Sequence, residues 1–383
     1  MGRARGAWAV RSWCGGDEVL VRYGARARVK VSRVQYLVHR GRHQSSLAQN
    51  SIWLSLGALA VFLPPAASFP SAARRPVMSR HGIDAVEALP LSSRLALFEK
   101  ALSRAQMRIK ERDDFANRPE FVLSRRLVAR NFSTSFNGGV LMQPVFECPL
   151  DLVKTRGVRQ RWDGGKWMCG LSYLGRVRPC VVYSIGSNFD DTFESDLQRL
   201  VRTVRAGVGC DVEIYDPTLA TKKYGSIKVQ AFREKLARDR TGRLHLIGLA
   251  GDAVLKDRKG HVGKEPMLTL PQMLASNNHT CVDVLKIDVD GAESSTLRDT
   301  DWSSMCIGML LLEHHGRNIQ KMTGKAYTIG HALANVRRLE QSGLLLYSQE
   351  VVCPYCDGAT ELAFINVTWA REMITVGQEE ARL

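Results

Sequence analysis

Chemistry-bearing residues are densest in the run Leu285-Lys-Ile-Asp-Val-Asp-Gly-Ala-Glu293, which places carboxylates at 288, 290 and 293 on and beyond an apolar stretch. Crowded carboxylates are costly to bury unless a cation, a hydrogen-bonding substrate or a proton relieves them. Glu293 has a structural reading as an acid in the first turn of a helix. Asp288, deep in the apolar run, has none. A second acid stands with imidazoles in Leu310-Leu-Leu-Glu-His-His315. Asp288 and His314 are the candidate general bases. Asp288 and Glu313 also offer hard oxygen ligands that suit magnesium, with a metal-free His314 base oriented by Glu313 as the alternative.

Other residues could cradle a ligand. Ser184-Ile-Gly-Ser-Asn188 holds a lone glycine where an apolar run ends, and a helical pattern follows. Gly186, Ser187 and Asn188 would bring backbone close to a bound group. Asp216, in Tyr215-Asp-Pro-Thr218, could take both hydroxyls of a ribose, although Asp-Pro is also a common turn. In Gly248-Leu-Ala-Gly-Asp252, Leu249 and Asp252 flank backbone able to line a flat base. No G-x-G-x-x-G occurs, which argues against a dinucleotide enzyme. Asp163-Gly-Gly-Lys166 lacks the frame of a phosphate loop and reads as a turn before the first strand, placed to close over a ligand. Cys353-Pro-Tyr-Cys356 is followed by Asp357-Gly358, so it reads as a hairpin tip, with a structural disulfide or spare thiols rather than a redox centre.

These residues need elements to hold them. Short apolar strands are expected at 180–185, 212–215, 244–249, 282–287, 308–312, 344–347 and 361–365. Helices are expected at roughly 192–205, 231–239, 270–276, 294–298 and 328–342. Alternation of this kind predicts an α/β fold with a doubly wound, mostly parallel seven-stranded sheet. Ligands in such sheets sit beyond the carboxyl ends of the strands, where the residues above fall. Leu95, Phe98, Leu102, Ala105 and Ile109 recur at helical spacing, with Ser92 or Ser93 as N-cap, and predict a helix that is either a stem or packed on the domain.

Charge is unevenly spread. Residues 1–80 carry 13 Lys and Arg against two acids, while the other 303 carry 41 against 36. The body therefore lacks the pervasive basic face of a nucleic-acid binder. Twelve largely apolar residues, 52–63, end at Pro64-Pro65. They are too few to span a bilayer and match the core of a signal peptide, with a small-residue site at Ala66-Ala67-Ser68. The expected organisation is a targeting leader over 1–80, a helical stem and linker over 81–146, a catalytic domain over 147–370 and a tail over 371–383. Secretion or a Golgi lumen is the expected location, with a mature start near Phe69; import into a plastid through a bipartite leader, or into a mitochondrion, is the alternative. Nine scattered cysteines do not resemble the dense framework of a small secreted domain. Acceptor sequons stand at Asn131, Asn278 and Asn366, the last in a strand-like run.

Asp163-Gly-Gly-Lys-Trp-Met-Cys169, Val182-Tyr-Ser-Ile-Gly-Ser-Asn188, Tyr215-Asp-Pro-Thr218, Ile247-Gly-Leu-Ala-Gly251, Leu285 to Glu293 and Leu311-Leu-Glu-His314 occur in that order. In this the chain resembles the eukaryotic methyltransferase-like family related to the FkbM-type enzymes, over about residues 147–367. The resemblance implies a Rossmann-like class I fold and S-adenosylmethionine as cofactor. By that likeness Gly186 and its neighbours hold the methionine part, Asp216 the ribose, and Asp288 with Glu313-His314 faces the methyl and the acceptor. Asp290 stands where the family more often has Glu, and Gly186 stands nearly alone where the superfamily prefers several glycines. The expected activity is O-methylation of a small-molecule or glycan-like acceptor, with no nucleic-acid partner. The competing readings are a non-catalytic scaffold of the same fold and a nucleic-acid methyltransferase. The latter would need an Asn/Asp-Pro-Pro-aromatic motif or a Pro-Cys nucleophile, and the chain has neither.

Overall fold

The computed structural model describes residues 28–31, 34–37, 89–118, 142–155, 165–205, 208–221, 225–249, 266–316, 318–319, 327–352 and 359–376. The apolar core of the leader, Asn131, Asp252 and the Cys353/Cys356 pair lie outside them. The chain divides into two compact units, Met1–Arg75 and Pro76–Leu383. Of the first, the described part is an antiparallel pair, β1 (Arg28–Val31) and β2 (Val34–Leu37).

The second unit opens with α1 (Leu91–Ala116), whose buried residues Arg94, Phe98, Ala101, Ala105, Arg112 and Ala116 recur at helical spacing. The helix is thus packed on the body. Phe98 meets Phe146 edge to face, and Arg112 donates to both carboxylate oxygens of Glu340 at 2.6 and 2.7 Å. A small antiparallel pair follows, β3 (Leu152–Lys154) and β4 (Trp167–Cys169).

The main run is β5 (Val181–Ile185), α2 (Thr192–Val204), β6 (Asp211–Tyr215), α3 (Gly225–Arg238) and β7 (Arg243–His245). Then come β8 (Gly248–Leu249), β9 (Met267–Leu268), α4 (Leu270–Ser276), β10 (Val282–Ile287), α5 (Glu293–Asp299) and β11 (Ile307–His315). The described chain ends with α6 (Ile329–Gln341), β12 (Leu344–Val351), β13 (Ala359–Asn366) and α7 (Val367–Val376). The seven-stranded sheet has the order β12-β13-β11-β10-β5-β6-β7, with β13 antiparallel to both its neighbours. This is the doubly wound, Rossmann-like arrangement of class I methyltransferases that the sequence predicted. All residues of β5, β10 and β11 are buried, as parallel strands covered on both faces should be.

Two expectations about elements are corrected. The strand expected over 244–249 splits, because Gly248 and Leu249 leave the main sheet to pair with Met267 and Leu268. The boundary drawn at 370 falls inside α7, which Asn366 starts by accepting from the backbone N–H groups of Thr368 and Trp369. Trp369 is buried and donates to Asp283, fixing α7 on the body.

All six cysteines among the described residues pair. Cys180–Cys210 joins the residues just before β5 and β6, and Cys281–Cys306 those just before β10 and β11. Cys148–Cys169 ties the end of β4 to the segment before β3. The spacing had not suggested a framework, since each partner lies 21 to 30 residues away. Among the described residues no helix is long and apolar enough to cross a membrane.

Candidate functional site

At the carboxyl edge of β5, Gly186 adopts φ +90°, and a Cβ there would collide with the carbonyl oxygen of Asp288. The exits of β5 and β10 therefore cross at backbone contact, which a side chain would forbid. Asn188 and Phe189 continue the turn with φ of 48° and 64°. Asp216 shapes this turn from the end of β6. One of its oxygens accepts from the N–H groups of Ser187 and Asn188 at 3.0 and 2.7 Å. The other accepts from the N–H and hydroxyl of Thr218 at 3.0 and 2.6 Å. Asp216 is 3% exposed. Its carboxylate clamps the turn first, and any ribose would meet lone pairs left over from that work. Leu249 is buried on β8, beside the undescribed segment that holds Asp252.

Beyond β10, β11 and β13 lies a cluster of buried charge. Lys166, next to β4, sends its ammonium to Glu313 at 3.0 Å, to Glu361 in a short contact, and to Asp288 at 3.8 Å. Burial opposes the charge on Lys166, but the three carboxylates outweigh it and hold the ammonium above the ordinary lysine range. Burial would raise Glu313, yet hydrogen bonding to His315 and the charge of Lys166 hold it well below the usual carboxylate range. Burial pushes Glu361 and Asp288 up, against the pull of Lys166. Lys286 also lies near the Asp288 carboxylate, at 3.7 Å, and donates to the carbonyl oxygen of Gly186 at 2.5 Å. It thereby links the acid cluster to the glycine turn. Glu194 in the first turn of α2 is also buried and accepts from Ser184, with burial raising its pKa.

The expectation that Glu313 orients His314 is corrected. Consecutive strand residues face opposite sides, and the sheet puts His315, not His314, on the side of Glu313. The His315 Nε2 lies 3.2 Å from Glu313 and 3.7 Å from Asp290, and its Nδ1 lies 3.3 Å from Glu293. Burial opposes its charge, but Glu293 and Glu313 push its pKa up to about 12. His314 faces Tyr327 instead, with Nε2 2.8 Å from the hydroxyl, and burial lowers it to about 4. A neutral, 2% exposed imidazole turned away from Asp288 is no base for that site. Glu293 is the first-turn acid of α5 that the sequence suggested. It is fully buried and accepts from the backbone of Gly291 and His315.

The magnesium expectation fails on the donor set. Asp288, Glu313 and His315 do bring ligand atoms within 4.8 Å of one another. However, the Lys166 ammonium already sits against two of them, and His315 is held as a cation between two acids. Asp288 keeps the most open carboxylate of the three around Lys166, at 28% side-chain exposure against 6% for Glu313 and 12% for Glu361. Lys166, Lys286, Glu361 and His315 were not predicted as site residues. A lysine inside the apolar run 282–287 was the readable signal for Lys286. No signal along the chain connects Lys166 to Glu361.

A family model described as a methyltransferase domain matches residues 130–366. No curated protein sequence matches the chain. Among solved structures, the fibrillarin pre-rRNA processing protein of Methanococcus jannaschii is 15% identical, over 49% of this chain and 66% of that one, with a TM-score of 0.31. The chain thus spans just under two thirds of that protein. Aeropyrum pernix fibrillarin, with natively bound S-adenosyl-L-methionine, is 13% identical over 56% and 88% of the two chains, at 0.28. Magnesium protoporphyrin IX methyltransferase of Synechocystis is 14% identical over 49% and 74%, at 0.27. The family assignment rests on the family model and on the sheet order.

Proposed function

The chain belongs to that methyltransferase-domain family, and from this premise we propose an S-adenosylmethionine-dependent enzyme that methylates a hydroxyl of a small or glycan-like acceptor. The observation that carries the reading is the contact between the Gly186 turn and the exit of β10, which sets that glycine turn beside the open carboxylate of Asp288. The bound cofactor supplies a methyl already activated on a sulfonium. The chain then needs to align the acceptor and take its proton. Gly186, Ser187 and Asn188 offer backbone to the methionine part, Asp216 faces the ribose, and Leu249 lines the base. Asp288 takes the acceptor proton, and burial raises its pKa toward the range useful for a base.

Isothermal titration of the full chain with S-adenosylhomocysteine tests the reading. Binding that is weakened in Asp216→Ala is the expected result, and no binding by the wild type removes the enzyme. One observation favours the competing scaffold. Lys166 and His315 satisfy Glu313, Glu361 and Glu293 from within, so crowding alone does not demand a substrate. Methylation in cell extract that survives Asp288→Asn unchanged, with a partner still co-purifying, would decide for the scaffold.

For location we favour an oxidising lumen of the secretory pathway, with a mature start near Phe69. Three disulfides support it, since such bonds persist where thiols are not kept reduced. Asn278 is exposed at the end of α4 and accessible to glycosylation, whereas Asn366 uses its side chain to start α7. N-terminal sequencing and glycosidase treatment of the native protein test this placement.

A further inference from the structure

We infer that Lys166 is a built-in cation of the methyl-transfer site, standing where a divalent metal would otherwise gather the carboxylates of β10, β11 and β13 and fix Asp288 toward the acceptor. The inference deepens the methyltransferase reading and rests on it only for the role of Asp288.

The geometry carries it. A lysine ammonium has three donors, and the groups around Lys166 are three carboxylates from three different strand ends. With 2% of its side chain exposed, Lys166 cannot reach a substrate itself. It acts through its neighbours and is a positioning residue. Its backbone is held as firmly as its head group. The Lys166 N–H donates to the Thr155 hydroxyl at 2.8 Å, and the Thr155 N–H donates to the Lys166 carbonyl at 3.0 Å. Three residues on, Cys169 is locked to Cys148.

Glu313 and Glu361 are closed off by this arrangement, and Asp288 alone of the three keeps a partly open face. Lys286 approaches the same Asp288 oxygen, Oδ2, at 3.7 Å, so two ammonium groups hold one carboxylate in place. A divalent ion could enter only by displacing the ammonium 3.0 Å from Glu313. Hard cations of that kind demand most of their shell from oxygen. Two carboxylates pinned by lysine offer little of it. Without Lys166, the same carboxylates would form an oxygen-rich site left with only Lys286 and His315 as counter-charges at its edge.

The test uses the full chain, wild type and Lys166→Met, with two probes. Sinefungin carries an amine where S-adenosylmethionine carries its methyl sulfonium, so its affinity relative to S-adenosylhomocysteine reports an ionised, correctly aimed Asp288. Magnesium, calcium or manganese chloride, each against a chelator, reports cation binding through the melting temperature. Wild type is expected to prefer sinefungin by about tenfold, the worth of a charge-assisted hydrogen bond, and to melt identically with and without the metals. Lys166→Met is expected to lose that preference and to gain several degrees from millimolar metal. Lys166→Arg restores both wild-type behaviours in part.

A wild type that needs a divalent ion for its sinefungin preference overturns the inference. So does a folded Lys166→Met that keeps the preference and ignores the metals. Should Lys166→Met fail to fold, the double variant Lys166→Met/Glu361→Gln removes one charge of each sign and is expected to fold; a wild-type preference in it also overturns the inference. If wild type binds neither probe, the methyltransferase reading falls, and the metal arm still decides the role of Lys166.

Discussion

A single methyl group at Gly186 is expected to disable the cofactor turn. Alanine there would hold φ +90° at a cost of about 1–3 kcal/mol and would press on the Asp288 backbone. Gly186→Ala should lower the urea midpoint and weaken S-adenosylhomocysteine binding more than tenfold in calorimetry; wild-type affinity would remove Gly186 from the site. His314 makes a different prediction. Its pKa falls to about 4 in the fold, against roughly 6.5 in an unfolded chain. Between those values the unfolded chain binds more protons, so the stability present above about pH 6.5 is lost as pH falls toward 4, by an amount on the order of 3 kcal/mol. His315 has the opposite sign, since its raised pKa contributes stability that is full below about pH 6.5 and lost as pH rises toward 12. Urea midpoints between pH 4 and 7 should therefore fall steeply with acid in wild type and less steeply in His314→Gln. At this scale the placement of Gly186, Asp216 and Asp288 at one edge of the sheet was legible, because they follow directly on the apolar runs that form β5, β6 and β10. The choice between His314 and His315 turned on strand parity in Ile307–His315, which runs three residues past the expected end at Leu312 and so keeps Glu313, His314 and His315 in the alternation. Lys166 was unreadable because its three partners lie 122 to 195 residues away and meet it only when β4 closes over the sheet.

Among the elements, α1 shows how far periodicity reaches and where it stops. Its apolar repeat gave the helix and the face, but nothing in the repeat said what that face would cover. Arg112 decides between a separate stem and a helix packed on the domain, in favour of the second. Its side chain is 5% exposed and bonds both oxygens of Glu340, itself 4% exposed, at the end of α6. Burial of such a pair contributes little in itself, but removing Glu340 leaves the buried Arg112 with only the partly exposed Asp113, at a cost approaching about 3–5 kcal/mol. Glu340→Ala should therefore unfold at clearly lower urea than wild type. Arg112→Met/Glu340→Leu, which leaves no orphan, should recover most of the loss. Equal destabilisation by the single and double variants would mean that α1 is held by Phe98 and its apolar neighbours alone. The helix α7 was missed for a related reason. Its ten residues follow directly on β13, and the cap comes from Asn366, a residue still inside the strand.

For the molecule as a whole, covalent links do work that the charge and composition of the chain conceal. Cys180–Cys210 and Cys281–Cys306 occupy equivalent places, each stapling the amino ends of two adjacent parallel strands. The proposed catalytic rim lies at the opposite edge, so these two staples brace the sheet and leave that rim to its own contacts. Cys148–Cys169 differs, because Cys169 ends the strand beside Lys166. Closing loops of 21 to 30 residues stabilises by about 3–4 kcal/mol each if the unfolded chain bears the whole entropy loss. Peptide mapping without reduction should recover all three pairs, and reductant should lower the melting temperature by several degrees. The paired serine variants should then part company. Cys180→Ser/Cys210→Ser should lose stability while keeping the affinity ratio of sinefungin to S-adenosylhomocysteine. Cys148→Ser/Cys169→Ser should lose both, since β4 would no longer hold its lysine among the carboxylates. Identical ratios in the two variants would show that Thr155 and the ion pairs seat Lys166 without help from the disulfide.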